Sequence, residues 1–310
     1  MSDPRKHHFL PQFYLEGFTA NGKKDEFLHV IDLRSGKQWP ARPSNVAFQV
    51  DLHTVKWDGD PYQLEKDLAA GIENVLSPIL KKVLAEEALP KDRTIDHISD
   101  LVAMLAARVP SEIEAPVRFQ RSMFMMHMRA QLASEETWVR FCKEDGAPNM
   151  LYADALKCPA AFESGDVRMV LNNNVLMKKM LEAMDRIRRL LDWRRWTLIT
   201  APSGVHFLCS DRPVHLSWAS EMPAECRPDC ASPGSWIFLP LSRSIGLIGV
   251  LEPGGQSGQV NLETVAMLNG LVIGQTARQV YSPFEDFNWC LSDRKLLNAA
   301  DLVAMVKRAN

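Results

Sequence analysis

The sequence has little of what marks several large classes of protein. Its 310 residues include only six cysteines, too few for a disulfide-stabilised scaffold. No stretch approaches the ~20 consecutive apolar residues of a membrane helix, and the polar first residues lack the apolar core of a signal peptide. With 36 basic and 38 acidic residues, the net charge of −2 shows no global excess that would favour nucleic acid. We therefore expect a soluble, cytoplasmic protein with reduced thiols and no membrane partner.

Common catalytic motifs are also missing. The chain contains no Gly-x-x-x-x-Gly-Lys-Ser/Thr loop, no Gly-x-Ser-x-Gly elbow and no His-Glu-x-x-His helix. Cys226 and Cys230 have a spacing seen in zinc ligands, but no second cysteine or histidine pair lies nearby. A cluster of arginines between residues 186 and 195 resembles a nucleic-acid patch. Acidic residues four positions before two of these arginines are equally typical of a solvated helix face, so nucleic acid is only weakly supported as a partner.

What the chain does have is ordinary globular composition, with 46% hydrophobic and 24% charged residues. Short β-like runs precede residue 60, helical periodicity follows to about residue 195, and β-like runs with a helix continue to about 285. This order predicts an α+β fold, with a helical middle region packed on an antiparallel sheet formed by N- and C-terminal strands. We predict a single domain, 1–310, with sub-regions 1–60, 61–195, 196–285 and a C-terminal helix in 286–310.

Two local predictions concern the regular elements. Residues 196–199 and 205–209 flank a turn at 201–204 and predict a β-hairpin. A helix is predicted to begin at Asp60-Pro61, because a capping side chain precedes a proline in the first turn. Its apolar residues recur at helical spacing: Leu64, Leu68, Ile72, Val75, Ile79 and Val83. At 100° per residue, Glu65 falls about 60° from Leu68, inside this apolar stripe.

The next helix carries a charge of the opposite sign in a similar position. Arg108 lies at the edge of its apolar stripe. An unpaired buried charge costs several kcal/mol, so Glu65 and Arg108 both need partners. We predict that their side chains approach within salt-bridge distance or share one polar cavity, both mostly buried. Such a pair would either orient the two helices or line a polar site between them.

Histidines and an aspartate add further candidates. His7 and His8 are adjacent, so in an extended segment they point to opposite faces and only one joins a given site. A neutral imidazole binds metals or carries protons, although N-terminal histidines are often simply solvated. Asp211 follows an apolar strand, where active carboxylates are often placed. An ordinary aspartate turn before Pro213 explains it equally well.

The opening segment 7–18, His-His-Phe-Leu-Pro-Gln-Phe-Tyr-Leu-Glu-Gly-Phe, resembles the signature of an uncharacterised bacterial family, domain of unknown function 4238. That signature is His-His-x-x-Pro-x-x-Tyr-Leu-x-x-Phe. Further features of the family pattern follow in order: the strand and turn 30–37, Glu65, Arg-x-Pro at 108–110, Phe-x-x-Ser-Asp-x-Pro-Val at 207–214, Pro-Leu-Ser at 240–242, and 277–282. The resemblance spans about 5–285 and implies no known activity. The polar residues that stand out physically also belong to this pattern, which favours one shared site.

Two functions remain open on the sequence. In the first, His7 or His8 with Glu65 and Asp211 holds a divalent metal ion, with His8, Glu65 and Asp211 as the leading ligands. Arg108 then stabilises an anion, and the reaction is metal-assisted hydrolysis of a phosphodiester, as in a nuclease. In the second, the protein is a non-catalytic binding or interaction protein and the same residues form a structural polar network. Side chains more than about 10 Å apart would exclude a shared metal, because ligand bonds are only ~2.0–2.6 Å long.

Overall fold

A computed structural model describes residues 5–55, 60–144, 150–223, 225–252, 255, 257–291 and 295–309. The α-helices are α1 Gln12–Leu15, α2 Gln63–Asp67, α3 Asn74–Glu86, α4 Asp96–Ala107, α5 Pro110–Ile113, α6 Ala115–Gln131, α7 Glu135–Glu144, α8 Tyr152–Ala155, α9 Cys158–Ser164, α10 Asn173–Leu191, α11 Leu262–Gln275 and α12 Ala299–Ala309. The strands are β1 Lys6–His8, β2 Leu28–Asp32, β3 Gln38–Ala41, β4 Phe48–Val50, β5 Arg195–Thr200, β6 Cys209–Ser210, β7 His215–Trp218, β8 Ser235–Pro240, β9 Ile245–Val250, β10 Gly258–Gln259, β11 Gln279–Ser282, β12 Asn288–Cys290 and β13 Leu296–Asn298. The predicted α+β class is confirmed.

The sheets join the two ends of the chain. A four-stranded sheet has the order β3-β2-β11-β6, in which N-terminal β2 pairs antiparallel with C-terminal β11 and places Val30 opposite Tyr281. Every residue of β2 is buried, since both faces of this strand are covered. A five-stranded sheet has the order β10-β5-β9-β8-β7, and two-stranded sheets pair β1 with β4 and β12 with β13. The prediction that N- and C-terminal strands build the antiparallel sheet is confirmed.

One hydrophobic cluster connects the helical middle region to these strands. It contains Tyr14 from α1, Leu101 from α4, Leu239 from β8 and Tyr281 from β11, all buried. The helical region therefore shares its core with strands from both ends of the chain, as the order of elements in the sequence predicts.

The predicted hairpin between 196–199 and 205–209 is wrong. β5 pairs with β9 instead, and Trp196 lies opposite Gly249. A Cβ on Gly249 would lie 2.3 Å from the Trp196 ring, so the missing side chain makes room for the indole. The segment before β6 leaves this sheet: the Phe207 N–H donates to the Arg243 carbonyl, and β6 pairs with β11 in the other sheet.

The helix predicted from residue 61 is interrupted by a π-helical segment, Leu68–Glu73. π-Helical hydrogen bonds run from residue i to i+5, so the segment shifts the phase of all that follows. Two features of the sequence weaken the α-helix here. Gly71 has low helix propensity, and Pro78 has no N–H to donate to the carbonyl of Asn74.

The buried face of the helix moves by one residue across this segment. Leu64 and Leu68 are buried before it, as predicted. After it the buried positions include Leu76 and Leu80, while Val75 is 42% exposed. A wheel with a constant 100° per residue therefore misplaces Val75 after the π segment, although Val83 is buried as it predicts.

Helices α6–α9 form an arm with a small core of its own, built from Leu132, Trp138 and Ala155. α6 has no buried side chain, although Phe119 and Met126 are large and apolar. Neither α6 nor any other helix within the described residues combines the length and hydrophobicity needed to cross a bilayer.

Two glycines of α11 provide a test of its packing on β12. A Cβ added at Gly270 would lie 2.0 Å from the backbone oxygen of Cys290, whereas Gly274 has nothing within 4 Å. We expect Gly270→Ala to destabilise the protein by about 1–3 kcal/mol through overpacking. The matched change Gly274→Ala should be neutral or stabilise by up to about 1 kcal/mol through helix propensity. Urea denaturation of both variants checks this, and equal stability of the two would contradict the close approach.

Buried His215 in β7 predicts a pH dependence of folding. Burial lowers the pKa of His215 to about 3, and the charge of Arg212 acts in the same direction. The folded state therefore binds fewer protons than the unfolded chain, whose histidine pKa is about 6.5. The stabilisation is complete above about pH 6.5 and is lost as the pH falls towards 3. We expect a loss of about 2 kcal/mol from this residue between pH 7 and pH 5.

Urea denaturation at both pH values of the parent and of His215→Leu measures this contribution. The leucine variant should show a flatter pH dependence, and the same change at exposed His127 should leave the slope as it is. An unaltered slope in His215→Leu would show that this histidine is not neutral in the folded protein.

Candidate functional site

Three side chains from separate elements meet near the N-terminus. His7 lies in β1, His53 in the turn that follows β4, and Glu65 in the first turn of α2. One ligand atom from each lies within 4.8 Å of the other two. The alternation of β1 positions His7, because its side chain is buried while those of Lys6 and His8 are half-buried. In the described part of the chain, these residues form the one group with the spacing of a metal site.

Glu65 and His53 form a carboxylate–imidazole pair. The Glu65 Oε2 and His53 Nδ1 atoms are 2.5 Å apart. Burial raises the pKa of the Glu65 carboxyl, but the hydrogen bond and charge of His53 and the charge of Arg108 outweigh it and lower the pKa overall. Burial lowers the pKa of His53, despite its bond to Glu65. The pair is therefore an ionised carboxylate that accepts a hydrogen bond from the Nδ1–H of a neutral imidazole.

This arrangement leaves a lone pair on Nε2 of His53. In a neutral ring with its proton on Nδ1, Nε2 is an acceptor or a metal ligand. The His53 side chain is fully buried, and its Nε2 has no hydrogen-bond partner among the described residues. An unsatisfied buried polar atom of this kind is costly, which makes it a candidate for a bound ligand.

His7 is held by the backbone of the same turn. Its Nδ1 accepts the N–H of His53 at 2.7 Å. A neutral His7 therefore carries its proton on Nε2. The two imidazole rings are stacked with centroids 5.5 Å apart, and the ring of Tyr62 meets His7 edge-on at 5.9 Å. The cluster thus combines a His7 ring whose Nδ1 is engaged by the backbone with a lone pair on Nε2 of His53.

Arg108 forms an ion pair, but not with the predicted partner. Its side chain is fully buried at the end of α4, and Nη1 donates to Glu73 Oε1 at 2.6 Å. Nη2 donates to the backbone oxygen of His8 at 2.8 Å. The Glu65–Arg108 ion pair, which is one of the two arrangements predicted for these residues, is not formed. The π segment between Glu65 and Glu73 brings the Glu73 carboxylate to the guanidinium instead. Burial of Arg108 is as expected, while the Glu65 side chain remains 26% exposed.

The structure does not bring His8 or Asp211 into this cluster. His8 Nε2 lies 3.3 Å from the backbone oxygen of Ser44, and burial lowers the pKa of its ring. The Asp211 carboxylate accepts the backbone N–H groups of Ala277 and Gln279 at 3.0 and 3.1 Å. Burial raises the pKa of Asp211 against these bonds. Asp211 therefore ties the end of β6 to the backbone at the start of β11 through bonds that are distant in sequence. The local side-chain bond before Pro213 is made by Ser210, whose hydroxyl accepts the N–H of Arg212.

Sequence reasoning did not identify His53 or Glu73. His53 lies in a turn without hydrophobic periodicity, so no pattern distinguishes it from a solvated histidine. Glu73 falls on the polar side of a regular helix and reaches Arg108 only through the π segment. His7 and Glu65 are the predicted candidates that the structure places together.

Comparison with known proteins gives a family but no activity. The model of a family described as protein of unknown function (DUF4238) matches residues 6–285. Neither a curated protein nor a solved structure matches the chain. The matched range includes the whole three-residue cluster, Arg108 and Asp211.

Because Glu73 is the partner of Arg108, we predict that removing the Glu73 carboxylate destabilises the protein much more than removing that of Glu65. Glu73→Ala leaves a fully buried guanidinium without its counter-charge, and we expect a loss of about 3 kcal/mol. Glu65→Ala keeps that pair intact and should cost less. The double variant Glu73→Leu/Arg108→Met should lose less than the sum of its single changes, because no charge is left unpaired. Urea denaturation measures these values, and a Glu73→Ala protein as stable as the parent would contradict the pairing.

Proposed function

The chain belongs to the DUF4238 family of proteins of unknown function, and we propose that it is a hydrolase that uses a divalent metal ion held by His7, His53 and Glu65. The observation that supports this most is the buried lone pair on His53 Nε2, which lacks a partner among the described residues. His53 also belongs to a group with His7 and Glu65 in which one ligand atom of each residue lies within 4.8 Å of the others. We propose phosphodiesters as the substrate class.

The residue types suit a transition metal such as zinc. Two histidines and one glutamate form a common ligand set in hydrolytic zinc sites, where a further coordination position stays open. A carboxylate bonded to Nδ1 of a ligand histidine fixes its tautomer and directs Nε2 at the metal. Glu65 makes such a bond to Nδ1 of His53, so it would have to give up this bond to become a ligand of the metal that Nε2 binds. A metal at such a site lowers the pKa of water and polarises the substrate.

Arg108 acts in this proposal as a positioning residue. The sequence suggested that it stabilises a substrate anion, but its two terminal nitrogens are taken by Glu73 and the backbone of His8. Its charge favours the ionised form of Glu65 and the neutral form of His53. Both are the forms in which carboxylate and imidazole bind a metal.

A small phosphodiester is a better probe than nucleic acid. Arg188 is paired with Asp100 and Arg189 with Asp185. Arg194 is buried and bonds to backbone carbonyls such as that of Gly249. Much of the basic cluster is thus engaged within the protein, although nucleic acid remains a candidate substrate.

A second candidate function is a structural polar network without catalysis. The bonds from His53 to His7 and to Glu65 join β1, a turn and α2, which is what such a network does.

We also propose a single domain over 1–310, supported by the shared core. A cytoplasmic location in a bacterial cell is proposed as well, and no disulfide joins the six cysteines, all of which are described.

Metal titration distinguishes the two functions. Chelator-treated protein should bind one Zn²⁺ per chain in calorimetry, and the metal should confer hydrolysis of bis(p-nitrophenyl) phosphate. We expect His53→Gln to weaken Zn²⁺ binding at least about 100-fold, because it removes one of the three proposed ligands. The control His127→Gln changes an exposed histidine of α6 and should bind as the parent does.

Each alternative result has a definite meaning. Parent protein that binds no metal, combined with a destabilised His53→Gln variant, would establish the structural network and refute the metal site. Zn²⁺ binding without metal-dependent hydrolysis of any phosphodiester tested would keep the metal site and refute the hydrolase.

A further inference from the structure

We propose that Asn173, the first residue of α10, is a positioning residue that holds the His53 imidazole in its place in the candidate site. It acts on the backbone on either side of His53 and not on the imidazole itself. Its role in metal binding rests on the proposed function, whereas the placement of the imidazole can be measured in the metal-free protein.

The side-chain amide of Asn173 reaches two carbonyl oxygens of the turn that carries His53. Its Nδ2 donates to the backbone oxygen of Leu52 at 3.1 Å and to that of Thr54 at 2.5 Å. Carbonyl oxygens only accept hydrogen bonds, and an amide nitrogen with two N–H groups can donate to both at once. The carbonyls of the residues before and after His53 are thus attached to one side chain.

Each of these carbonyls belongs to a peptide group that is also held at its other end. In the peptide group of Leu52–His53, the N–H donates to His7 Nδ1 at 2.7 Å. In the peptide group of Thr54–Val55, the N–H donates to the backbone oxygen of Pro61 at 3.1 Å. Because a peptide group is planar, bonds at both of its ends fix its orientation. The backbone that carries the His53 side chain is therefore held from both sides.

The turn contains a backbone conformation that residues with a side chain seldom adopt. Asp51 has a φ angle of 59°, in the left-handed region. Within the turn, the Asp51 carbonyl accepts the N–H of Thr54 at 3.2 Å. Conformations of this kind persist where the surrounding structure holds them, so the contacts made by Asn173 from outside the turn help to keep its shape.

Asn173 can act as an anchor because the start of α10 is packed against the same region. Met177, one helical turn further on, is buried in a cluster with Val55 and Leu64. Residues four positions apart lie on one face of a helix, so the packing of Met177 turns the face of Asn173 towards the His53 turn. A site is held most accurately when its support comes from a packed helix or strand.

The backbone anchor becomes most important when a metal enters. In the metal-free protein the Glu65 carboxylate holds Nδ1 of His53, but Glu65 gives up this bond when it becomes a ligand. The bonds from Asn173 do not involve the carboxylate, so they remain and limit the movement of the ring. Loss of a residue that supports a metal ligand typically weakens metal binding about 10–100-fold.

Nitrogen NMR of the metal-free protein tests the placement of the ring. With ¹⁵N-labelled histidine at about pH 8, where histidines are neutral, the parent should show a protonated Nδ1 and a bare Nε2 for His53. Loss of these signals in His53→Gln assigns them. Asn173→Ala removes both donors, so the released ring should exchange its proton between the two nitrogens and give averaged signals. Zn²⁺ binding, measured by calorimetry, should weaken about 10–100-fold.

Asn172→Ala is the matched control at the neighbouring position. The Asn172 side chain accepts the N–H of Asn174 and caps the same helix. Its loss lowers the stability of α10 without removing a bond to the His53 turn, so this variant should keep the His53 signals and the Zn²⁺ affinity of the parent.

Asn173→Asp is a second test variant with the same shape and no donor. A carboxylate is favoured at a helix N-terminus, so this variant serves if Asn173→Ala does not fold. We expect it to reproduce the averaged His53 signals and the weaker Zn²⁺ binding.

Two results would overturn the positioning role. One is a folded Asn173→Ala or Asn173→Asp protein with the His53 signals of the parent, and the other is an equal loss of these signals in Asn172→Ala. Unchanged Zn²⁺ affinity despite altered His53 signals would refute the role in metal binding. Parent protein that binds no Zn²⁺ would refute the proposed metal site, and the NMR comparison would still decide whether Asn173 positions the ring.

Discussion

Neutralisation of the fully buried Arg108 guanidinium is the constraint on which the site depends. A buried charge without a partner costs several kcal/mol, so the chain must bring acceptors to it. It does so from two directions, with the Glu73 carboxylate from the end of the π segment and the backbone oxygen of His8 from β1. These bonds connect α4, the π segment and β1. Because His7 is the neighbour of His8, the same contact positions the first histidine of the cluster.

Because of the π segment, two carboxylates of one continuous helix have different partners. Glu73 neutralises Arg108, which leaves Glu65 available to bind His53. In a regular helix the side chain of Glu73 would lie on a different face, so Glu73 and Glu65 could not reach Arg108 and His53 at the same time. The irregular turn is thus what permits an ion pair and a carboxylate–imidazole pair to lie side by side.

Sequence reasoning predicted the parts of this structure that depend on local periodicity. The α+β class, the pairing of N- and C-terminal strands and the burial of Arg108 all follow from hydrophobic patterns and the cost of charge burial. The partner of Arg108 could not be predicted in this way. A helical wheel assumes one regular helix, and Gly71 alone does not predict a π-helical segment. The predicted hairpin was wrong because strand pairing here depends on a tertiary contact. β5 pairs with β9, where Gly249 leaves room for the side chain of Trp196. His53 was missed because a turn residue has no periodic signal.

The tautomer of His7 decides what the cluster can bind. Its Nδ1 is engaged by the backbone N–H of His53, so metal ligation through Nε2 requires the ring proton to move and that bond to break. Leaving a buried N–H unsatisfied costs about 1–3 kcal/mol. Structural zinc sites in small peptides bind with about 10–16 kcal/mol, which exceeds this cost several-fold. The hydrogen bond between the two histidines orders the cluster without a metal, and in the proposed function His7 would have to rearrange for its Nε2 to become a ligand.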